Sequence, residues 1–382
     1  MTRIVVLGGG MVGAVMADDL AREAAFEVAV ADVREAALER ARARNPRVRG
    51  IKADLSDPSA VQRLAADADL VCGALSSALG FQSLRAVIEA GRPYADISFM
   101  PEDAWTLDSL ARERGVPCIV DAGVAPGLSN LLAGRAVGRL APCERLRILV
   151  GGLPRVRTKP FEYKAGFAPS DVIEEYTRPS RIVEHGQVVV REALSEVEHV
   201  DIAGLGTLEA FNTDGLRSLA VTLPVPNMVE KTMRYPGHAE QMRAFRAAGL
   251  FSKDEVVVGG QRVRPLDLTS AVLFPKWTYA EGEEDLTALR VEAEGLQAGV
   301  RVRLVDELLD HYSQGERATS MSRTTALPCA LFARLLAAGT FSRPGVHAPE
   351  ALGADEALVE HVLAGLRARG VHVTSRVERL DP

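Results

Sequence analysis

The first part of the chain alternates short apolar runs with amphipathic stretches, and this alternation constrains the fold more than any other feature. The spacing predicts strands at 3–7, 27–31, 48–52, 69–74, 93–97 and 116–120. It predicts helices at 11–24, 33–44, 57–67, 80–90, 102–114 and 128–140. Because strands joined through helices pair in parallel, we predict an N-terminal doubly wound parallel (Rossmann) sheet, hence an α/β fold.

The alternation ends near residue 126, and residues 145–310 contain more strand-like segments than helices, which predicts an α+β domain on a mixed sheet. The strands predicted there are 145–151, 181–184, 187–191, 199–203, 207–211, 218–222, 255–258, 270–274, 287–294 and 300–307, with helices at 169–175 and 237–248. Helices are also predicted at 319–338 and 354–369. We expect a first domain over 1–125, a second over 126–318, and a C-terminal segment, 319–382, that packs back on the first.

Glycines spaced as G-x-G-x-x-G follow the first predicted strand and open the first predicted helix. Gly8 permits a tight turn, Gly10 lets the backbone approach a pyrophosphate, and Gly13 lets helix and strand pack closely. Met11 and Val12 complete this loop, and the helix N-terminus offers free N–H groups to an anion. A tight turn without a ligand is the alternative, but the strand–turn–helix context favours dinucleotide binding.

Asp32 ends the second predicted strand, the position at which an acidic residue meets the adenosine ribose of a dinucleotide. Its carboxylate would accept hydrogen bonds from the ribose hydroxyls and repel a 2′-phosphate, which predicts NAD rather than NADP. Arg34 argues the other way, because a guanidinium binds phosphate well.

Other loops after predicted strands supply further candidate cofactor contacts. Asp54 follows the third strand and is expected near the adenine, or as a helix cap. The fourth strand runs into Ala74, Ser76 and Ser77, which we expect near the nicotinamide end of the cofactor, although the serines are equally suited to cap the next helix. Gly123 is expected to contact the cofactor from a later loop.

Composition limits the classes of partner. The 382 residues carry a net charge of −6 and no basic block, which argues against nucleic acid or an anionic membrane. No apolar run reaches the roughly 18 residues of a membrane span, and the N-terminus lacks a signal-peptide pattern, so we expect a cytoplasmic protein. The cysteines form no CxxC pair and the histidines no H-E-x-x-H motif; we expect reduced thiols and no metal.

Several motifs resemble the saccharopine dehydrogenase superfamily, and most closely its lysine 6-dehydrogenase branch. Behind the glycine motif stand DAGVAPGLSN at 121–130, GGLP at 151–154 and MRYPGH at 233–238. The segments DISFMPE, IEEYTRPSRI, DGLRS and TSMSR are similar as well. The resemblance therefore covers nearly the whole chain.

The resemblance implies an NAD-dependent oxidoreductase acting on an amino acid. The expected reaction converts the lysine ε-amino group to ammonia and yields 2-aminoadipate 6-semialdehyde and NADH, and a homodimer through the second domain is implied. Saccharopine-oxidising members carry G-x-D-P-G where this chain has Ala125, and cysteine where it has Val150. Both departures favour the lysine 6-dehydrogenase branch.

The candidate catalytic residues are Asp96, Asp121 and His238. The two aspartates end strands near the expected nicotinamide, and His238 closes the MRYPGH motif. An ordinary carboxyl, with a pKa of about 3.9, is a poor base for an ammonium unless burial raises that pKa. A helix or turn cap for Asp96 and a structural role for His238 are the alternatives. Because an ammonium has no lone pair to assist hydride departure, we expect an alkaline pH optimum.

A substrate α-carboxylate calls for an arginine that can bind two oxygens. Arg234 lies in a family motif and is the first candidate, and Arg217 is the second. Asp214 is a candidate for the α-ammonium, although Asp-Gly is also a turn dipeptide. Tyr163 is expected to reach the same site.

Two other functions stay open at this point. The first is a secondary-amine oxidoreductase of the saccharopine or carboxynorspermidine dehydrogenase type. The second is a non-catalytic NAD-binding sensor, which the missing carboxylate at Ala125 permits. Ammonia release separates the first from lysine deamination, and NAD binding without turnover would indicate the second.

Overall fold

The computed structural model describes residues 1–167 and 169–380, and the chain divides into two compact units. Unit 1 comprises Met1–Arg135 and Ser322–Val371; unit 2 comprises Ala136–Met321 and the residues from 372 onward. The C-terminal helices therefore belong to the first unit, whereas the last strand belongs to the second.

Unit 1 is built on a seven-stranded sheet. Its strands are β1 (Thr2–Leu7), β2 (Phe26–Asp32), β3 (Arg49–Lys52), β4 (Leu70–Gly73), β5 (Tyr94–Asp96), β6 (Pro117–Ile119) and β17 (Gly345–His347). They lie in the order β17-β6-β5-β4-β1-β2-β3, and every pairing is parallel. The chain order reverses beside β1, which has β2 on one side and β4 on the other; ligands bind at such a point in doubly wound sheets. The predicted α/β class is confirmed.

The helices of unit 1 are α1 (Met11–Ala21), α2 (Glu35–Arg44), α3 (Pro58–Ala66), α4 (Ser77–Glu89), α5 (Asp108–Glu113), α12 (Glu350–Gly353) and α13 (Glu356–Arg367). Two more, α6 (Leu128–Arg139) and α11 (Ser320–Ala337), run across the unit boundaries. Buried Asp19 on α1 accepts hydrogen bonds from Arg334 on α11, at 2.7 Å, and from Arg369 after α13, at 2.5 Å. These charge-assisted bonds hold the C-terminal helices against α1.

Unit 2 is built on a nine-stranded mixed sheet and a separate hairpin. The strands are β7 (Cys143–Pro154), β8 (Ser180–Glu184), β9 (Gln187–Arg191), β10 (Glu198–Ile202), β11 (Gly206–Asn212), β12 (Met228–Arg234), β13 (Val256–Val258), β14 (Gln261–Val263), β15 (Asp285–Gln297), β16 (Val300–His311) and β18 (Val373–Arg379). The main order is β10-β11-β12-β7-β15-β16-β18, with β8 between β12 and β9. The β12–β7 pairing is parallel and the other pairings are antiparallel.

The helices of unit 2 are α7 (Pro169–Thr177), α8 (Leu219–Thr222), α9 (His238–Ala247) and α10 (Pro265–Trp277). Side chains from α7, α9, α10 and β11 form one apolar cluster, in which Tyr176, Met242, Trp277 and Phe211 are fully buried. All four cysteines of the chain are buried and free.

Two predicted strands of the second domain are wrong. Residues 270–274 lie inside α10, because Thr269, Leu273 and Trp277 recur every four residues and form the buried face of a helix. Residues 218–222 include the short helix α8, in which Leu219 is buried and Val221 is 79% exposed. The strand β12 was not predicted, because its buried residues include polar ones on both faces, Glu230 and Lys231 among them.

Candidate functional site

The glycine loop of unit 1 packs so closely that two of its positions exclude a side chain. Gly8 has a φ of +97°, and a Cβ there would lie 2.4 Å from the carbonyl oxygen of Ala74. A Cβ on Gly13 would lie 2.0 Å from the carbonyl oxygen of Gly8. By contrast, a Cβ on Gly10, the residue before α1, would meet no atom within 4 Å. The loop is therefore tight where it packs and open where a phosphate approaches a helix N-terminus.

Asp32 ends β2 beside this loop and is 5% exposed. Its carboxylate accepts a hydrogen bond from the Gly9 N–H at 2.8 Å and from the Arg34 guanidinium at 3.1 Å. Burial raises the pKa of Asp32, but the bonds from Arg34 and Gly9 outweigh it and hold that pKa below its ordinary value. Asp32 is thus a fixed anion, whereas Arg34 is 66% exposed. Together with the open position at Gly10, this arrangement fits a dinucleotide.

The other predicted cofactor residues lie at strand ends of the same unit. Exposed Asp54 follows β3, and its carboxylate accepts hydrogen bonds from the Ser56 N–H and hydroxyl at 2.9 and 2.6 Å, in a turn before α3, whose N-cap is Asp57. Ala74 follows β4 and donates its N–H to Leu7 at 2.8 Å. Ser76 is the residue before α4, where its side chain makes no capping bond, and Ser77 begins that helix. Gly123 accepts a hydrogen bond from Leu128 at 2.9 Å. Met11 and Val12 form the first turn of α1, and Met11 is 40% exposed.

Asp96 is a completely buried carboxyl at the end of β5. Its Oδ1 accepts hydrogen bonds from the Ser98 hydroxyl at 2.8 Å and the Ser98 N–H at 3.1 Å, while its Oδ2 has no partner among the described residues. Burial, with a contribution from the charge of Asp121, raises the pKa of Asp96 to about 7. Asp121 follows β6, is 3% exposed and has a φ of +52°, which non-glycine residues seldom adopt. The two predicted aspartates therefore interact at one edge of the sheet.

Unit 2 contains a buried cluster centred on Arg234. Side chains alternate along a strand, so Arg234 shares one face of β12 with Thr232 and Glu230. The Arg234 guanidinium donates to Glu175 at 2.8 Å and to the Met233 carbonyl at 3.0 Å. The Tyr163 ring lies 4.7 Å from the guanidinium carbon, a cation–π contact.

His238, the first residue of α9, joins this cluster. Its Nε2 lies 2.8 Å from the Tyr176 hydroxyl, and its ring lies 5.0 Å from the Tyr163 ring. Burial, followed by the charge of Arg234, lowers the pKa of His238 to about 3, so the imidazole is neutral near pH 7. The Glu209 carboxylate accepts hydrogen bonds from the N–H groups at the start of α9 and fixes the helix there.

The other two predicted substrate residues lie on the segment between β11 and α8. Both oxygens of Asp214 accept hydrogen bonds from the Arg181 guanidinium at 2.9 Å. Arg217 is partly buried and has a φ of +46°. The structure thus brings Arg234, Tyr163 and His238 together, whereas Asp214 is occupied by Arg181.

Sequence reasoning missed three members of unit 2. Glu175 and Tyr176 lie on α7 within IEEYTRP, and the helical spacing of buried Val172, Ile173 and Tyr176 was a usable signal for them. Glu230 had no signal, because an acidic residue in a buried strand is rare. Its carboxylate accepts a hydrogen bond from Thr213 at 2.7 Å, and burial first, then the charges of Glu175 and Asp214, raise its pKa to about 8.

A doubly wound sheet with a glycine loop and a fixed acid after β2, joined in one chain to an α+β unit with a buried polar cluster, is the architecture of a nicotinamide-dependent oxidoreductase. Residues 4–119 match the family model described as the saccharopine dehydrogenase NADP binding domain. Residues 123–371 match the saccharopine dehydrogenase C-terminal domain. The chain therefore belongs to the saccharopine dehydrogenase family of oxidoreductases.

Individual relatives are distant but match along their whole length. A carboxyaminopropylagmatine dehydrogenase from Synechocystis is 23% identical, over 94% of this chain and 95% of the relative. The NADP-dependent, L-glutamate-forming saccharopine dehydrogenase of Schizosaccharomyces pombe is 20% identical, over 91% and 94%. The structure of apo saccharopine dehydrogenase (L-Glu forming) from Saccharomyces cerevisiae matches with a TM-score of 0.81 at 17% identity, over 99% of this chain and 100% of that chain. The predicted family and fold are confirmed.

Two kinds of feature are absent from the part of the chain that the structure describes. No helix there is long and apolar enough to cross a membrane. Across the same residues, no group of three or more His, Cys, Asp or Glu side chains is arranged to hold a metal ion.

Proposed function

We propose that this protein is an NAD-dependent dehydrogenase that oxidises the ε-amino group of lysine. The products would be 2-aminoadipate 6-semialdehyde, ammonia and NADH: the amine carbon loses a hydride, a proton is released, and water hydrolyses the resulting imine. The observation that carries the proposal is the cluster of Arg234, Glu175, Tyr163 and neutral His238 in unit 2. It offers groups of both charges to an amino acid, in a family that oxidises carbon–nitrogen bonds.

The glycine loop and Asp32 would hold NAD. Gly8, Gly10 and Gly13 shape the loop for the pyrophosphate, and the Asp32 carboxylate faces the ribose position as a buried anion. When bound, the nicotinamide accepts the hydride. Because the Arg34 guanidinium is already paired with the Asp32 carboxylate, it is less available to a 2′-phosphate. This pairing supports the proposed preference for NAD over NADP. Steady-state kinetics with each cofactor tests this: a higher kcat/KM with NADP would refute the role given to Asp32.

The amine must be neutral when the hydride leaves the carbon bonded to it, although the free ε-ammonium has a pKa of about 10.4. Burial keeps His238 neutral, so the Tyr176–His238 pair would offer hydrogen-bonding groups without adding a second positive charge beside Arg234. Asp96 and Asp121 are the proposed proton acceptors, because the pKa of Asp96, about 7, suits proton transfer near neutrality. The rate should therefore rise from neutral to alkaline pH, and a maximum below pH 7 would contradict amine oxidation.

The test of the reaction is NADH formation with lysine, saccharopine, ornithine and alanine supplied separately at alkaline pH, with ammonia measured in the same samples. We expect lysine to reduce NAD with one ammonia released per NADH. NADH formation from saccharopine without ammonia would replace this proposal by the second candidate. NAD binding with no turnover of any amine would indicate a sensor.

The second candidate is a dehydrogenase of secondary amines. It is favoured by the names of two relatives that match over nine-tenths of the chain, a carboxyaminopropylagmatine dehydrogenase and a saccharopine dehydrogenase. Ala125 and Val150 argue against this second candidate, because saccharopine-oxidising members carry an acidic residue and a cysteine at these two positions.

We also propose a homodimer formed through unit 2. Its β13–β14 hairpin and α10 expose large apolar side chains, which are 46 to 72% accessible: Val256, Val257, Val258, Leu268 and Val272. These residues lie close together in sequence, and large contiguous apolar patches on a protein surface often mark an interaction site. Sedimentation at micromolar concentration should give twice the chain mass of 41.0 kDa, and a single-chain mass would refute the dimer.

A further inference from the structure

Arg234 and Glu175 form an ion pair in which each partner keeps an unused hydrogen-bonding atom. One bond joins the Arg234 Nη2 to the Glu175 Oε2 at 2.8 Å, although a guanidinium and a carboxylate can form two parallel bonds. The buried Nε of Arg234 has no acceptor among the described residues. The second oxygen of Glu175 accepts no hydrogen bond from the same part of the chain. A buried guanidinium nitrogen without an acceptor is uncommon, so a ligand acceptor is expected there, and the more exposed second oxygen of Glu175 can accept a donor from the same ligand.

The two partners differ in exposure. The Arg234 side chain is 3% exposed, whereas that of Glu175 is 20% exposed and gives the pair an opening to solvent. The Tyr163 ring centroid lies 4.7 Å from the guanidinium carbon, a cation–π contact that helps to hold the guanidinium in place. Burial raises the pKa of Glu175 against the opposing charge of Arg234, so an incoming cation would stabilise the ionised carboxylate.

We propose that the free amino-acid end of the substrate completes this pair, with the α-carboxylate on the Arg234 Nε and the α-ammonium on the second oxygen of Glu175. A carboxylate and an ammonium on one carbon are adjacent, as the two unused atoms of a directly bonded pair are. Glu175 is then a specificity residue that selects α-amino acids whose reacting amine is remote from the α-carbon. This inference rests on the proposed function and assigns the substrate class of the same site.

A structural ion pair would need no ligand, and two neighbouring glutamates on α7 separate the possibilities. Glu174 pairs with Lys253 at 2.9 Å on the outer side of the helix, so Glu174→Gln is the matched control for Glu175→Gln. Glutamine keeps the shape of the side chain but cannot bind an ammonium by charge. Three substrates isolate the two groups: L-lysine carries both, 6-aminohexanoate lacks the α-ammonium, and cadaverine lacks the α-carboxylate.

In the Glu175→Gln enzyme we expect the KM for L-lysine to rise about tenfold to a hundredfold, the loss typical of one charged hydrogen bond, while the KM for 6-aminohexanoate stays unchanged. Arg234→Lys should raise the KM for lysine and 6-aminohexanoate but not for cadaverine. Glu174→Gln should leave all three unchanged. Equal KM values for lysine in the Glu174→Gln and Glu175→Gln enzymes would overturn the proposal.

A binding experiment keeps this test separate from the reaction. L-norleucine has the amino-acid end of lysine but no ε-amine, and its affinity for the full chain with NAD present can be measured by calorimetry. We expect wild type and Glu174→Gln to bind L-norleucine, and Glu175→Gln to bind it about tenfold or more weakly. If no amine is oxidised but this pattern holds, the proposed function fails and the site stands. If lysine is oxidised while Glu175→Gln binds L-norleucine as wild type does, the site fails and the function stands.

Discussion

Replacing Asp96 by asparagine should change how the stability of the protein depends on pH. The asparagine Oδ1 can keep the two bonds from Ser98, at 2.8 and 3.1 Å, so the local geometry is preserved. The amide nitrogen would occupy the place of the buried Oδ2, which has no partner among the described residues. The free-energy cost of burying this unpaired amide nitrogen is independent of pH, whereas the free-energy cost of ionising Asp96 depends on pH.

The magnitude follows from the pKa of Asp96, which burial raises from 3.8 to about 7. Below pH 3.8 the carboxyl is protonated in both the folded and the unfolded state and makes no difference. Between these values the unfolded state releases the proton first, so the free energy of unfolding falls by about 1.4 kcal/mol per pH unit. Above the folded pKa the loss is complete at about 4 kcal/mol.

Urea denaturation of wild type and Asp96→Asn at intervals between pH 4 and pH 9 measures this. Subtracting one free energy of unfolding from the other cancels the contributions of all groups that titrate alike in the two proteins. The free energy of unfolding of Asp96→Asn relative to wild type should increase by about 4 kcal/mol between the lowest and the highest pH. Asp121→Asn should shift the change to lower pH, because the Asp121 charge helps to raise the pKa of Asp96. Parallel curves for wild type and Asp96→Asn would refute the reasoning.

Five further substitutions test other parts of the molecule. Gly13→Ala should lower the melting temperature, since its Cβ would lie 2.0 Å from a carbonyl oxygen. Gly10→Ala should have the melting temperature of wild type but should bind NAD about tenfold more weakly, as measured by calorimetry. Asp32→Ser should lower kcat/KM for NAD relative to NADP in steady-state assays. Tyr176→Phe should cost about 1–3 kcal/mol in urea denaturation, because the His238 Nε2 loses its partner. Val257→Glu should shift sedimentation toward the single chain.

The architecture of unit 1 could be predicted because local signals and tertiary structure agree there. Apart from β3, each strand from β1 to β6 is a short, mostly apolar run, and the segments between the strands carry a helical spacing, so pattern and pairing give the same topology. The glycine loop was readable for a related reason: Gly8 and Gly13 are forced by backbone atoms less than 2.5 Å from any added Cβ. Constraints of this kind act within one strand–turn–helix unit.

The cluster in unit 2 could be predicted only in part, because its members come from separate segments. Tyr163 precedes α7, Glu175 and Tyr176 lie on that helix, Arg234 ends β12, and His238 begins α9. Family motifs pointed to Arg234 and His238, but no spacing along the chain connects them with Glu175. Contact between these residues depends on β12, a buried strand in which polar side chains interrupt the apolar pattern expected of a strand. Burial also keeps His238 neutral, and the buried Arg234 Nε has no acceptor in the part of the chain that the structure describes, so the features that escape sequence analysis are those on which the proposed chemistry depends.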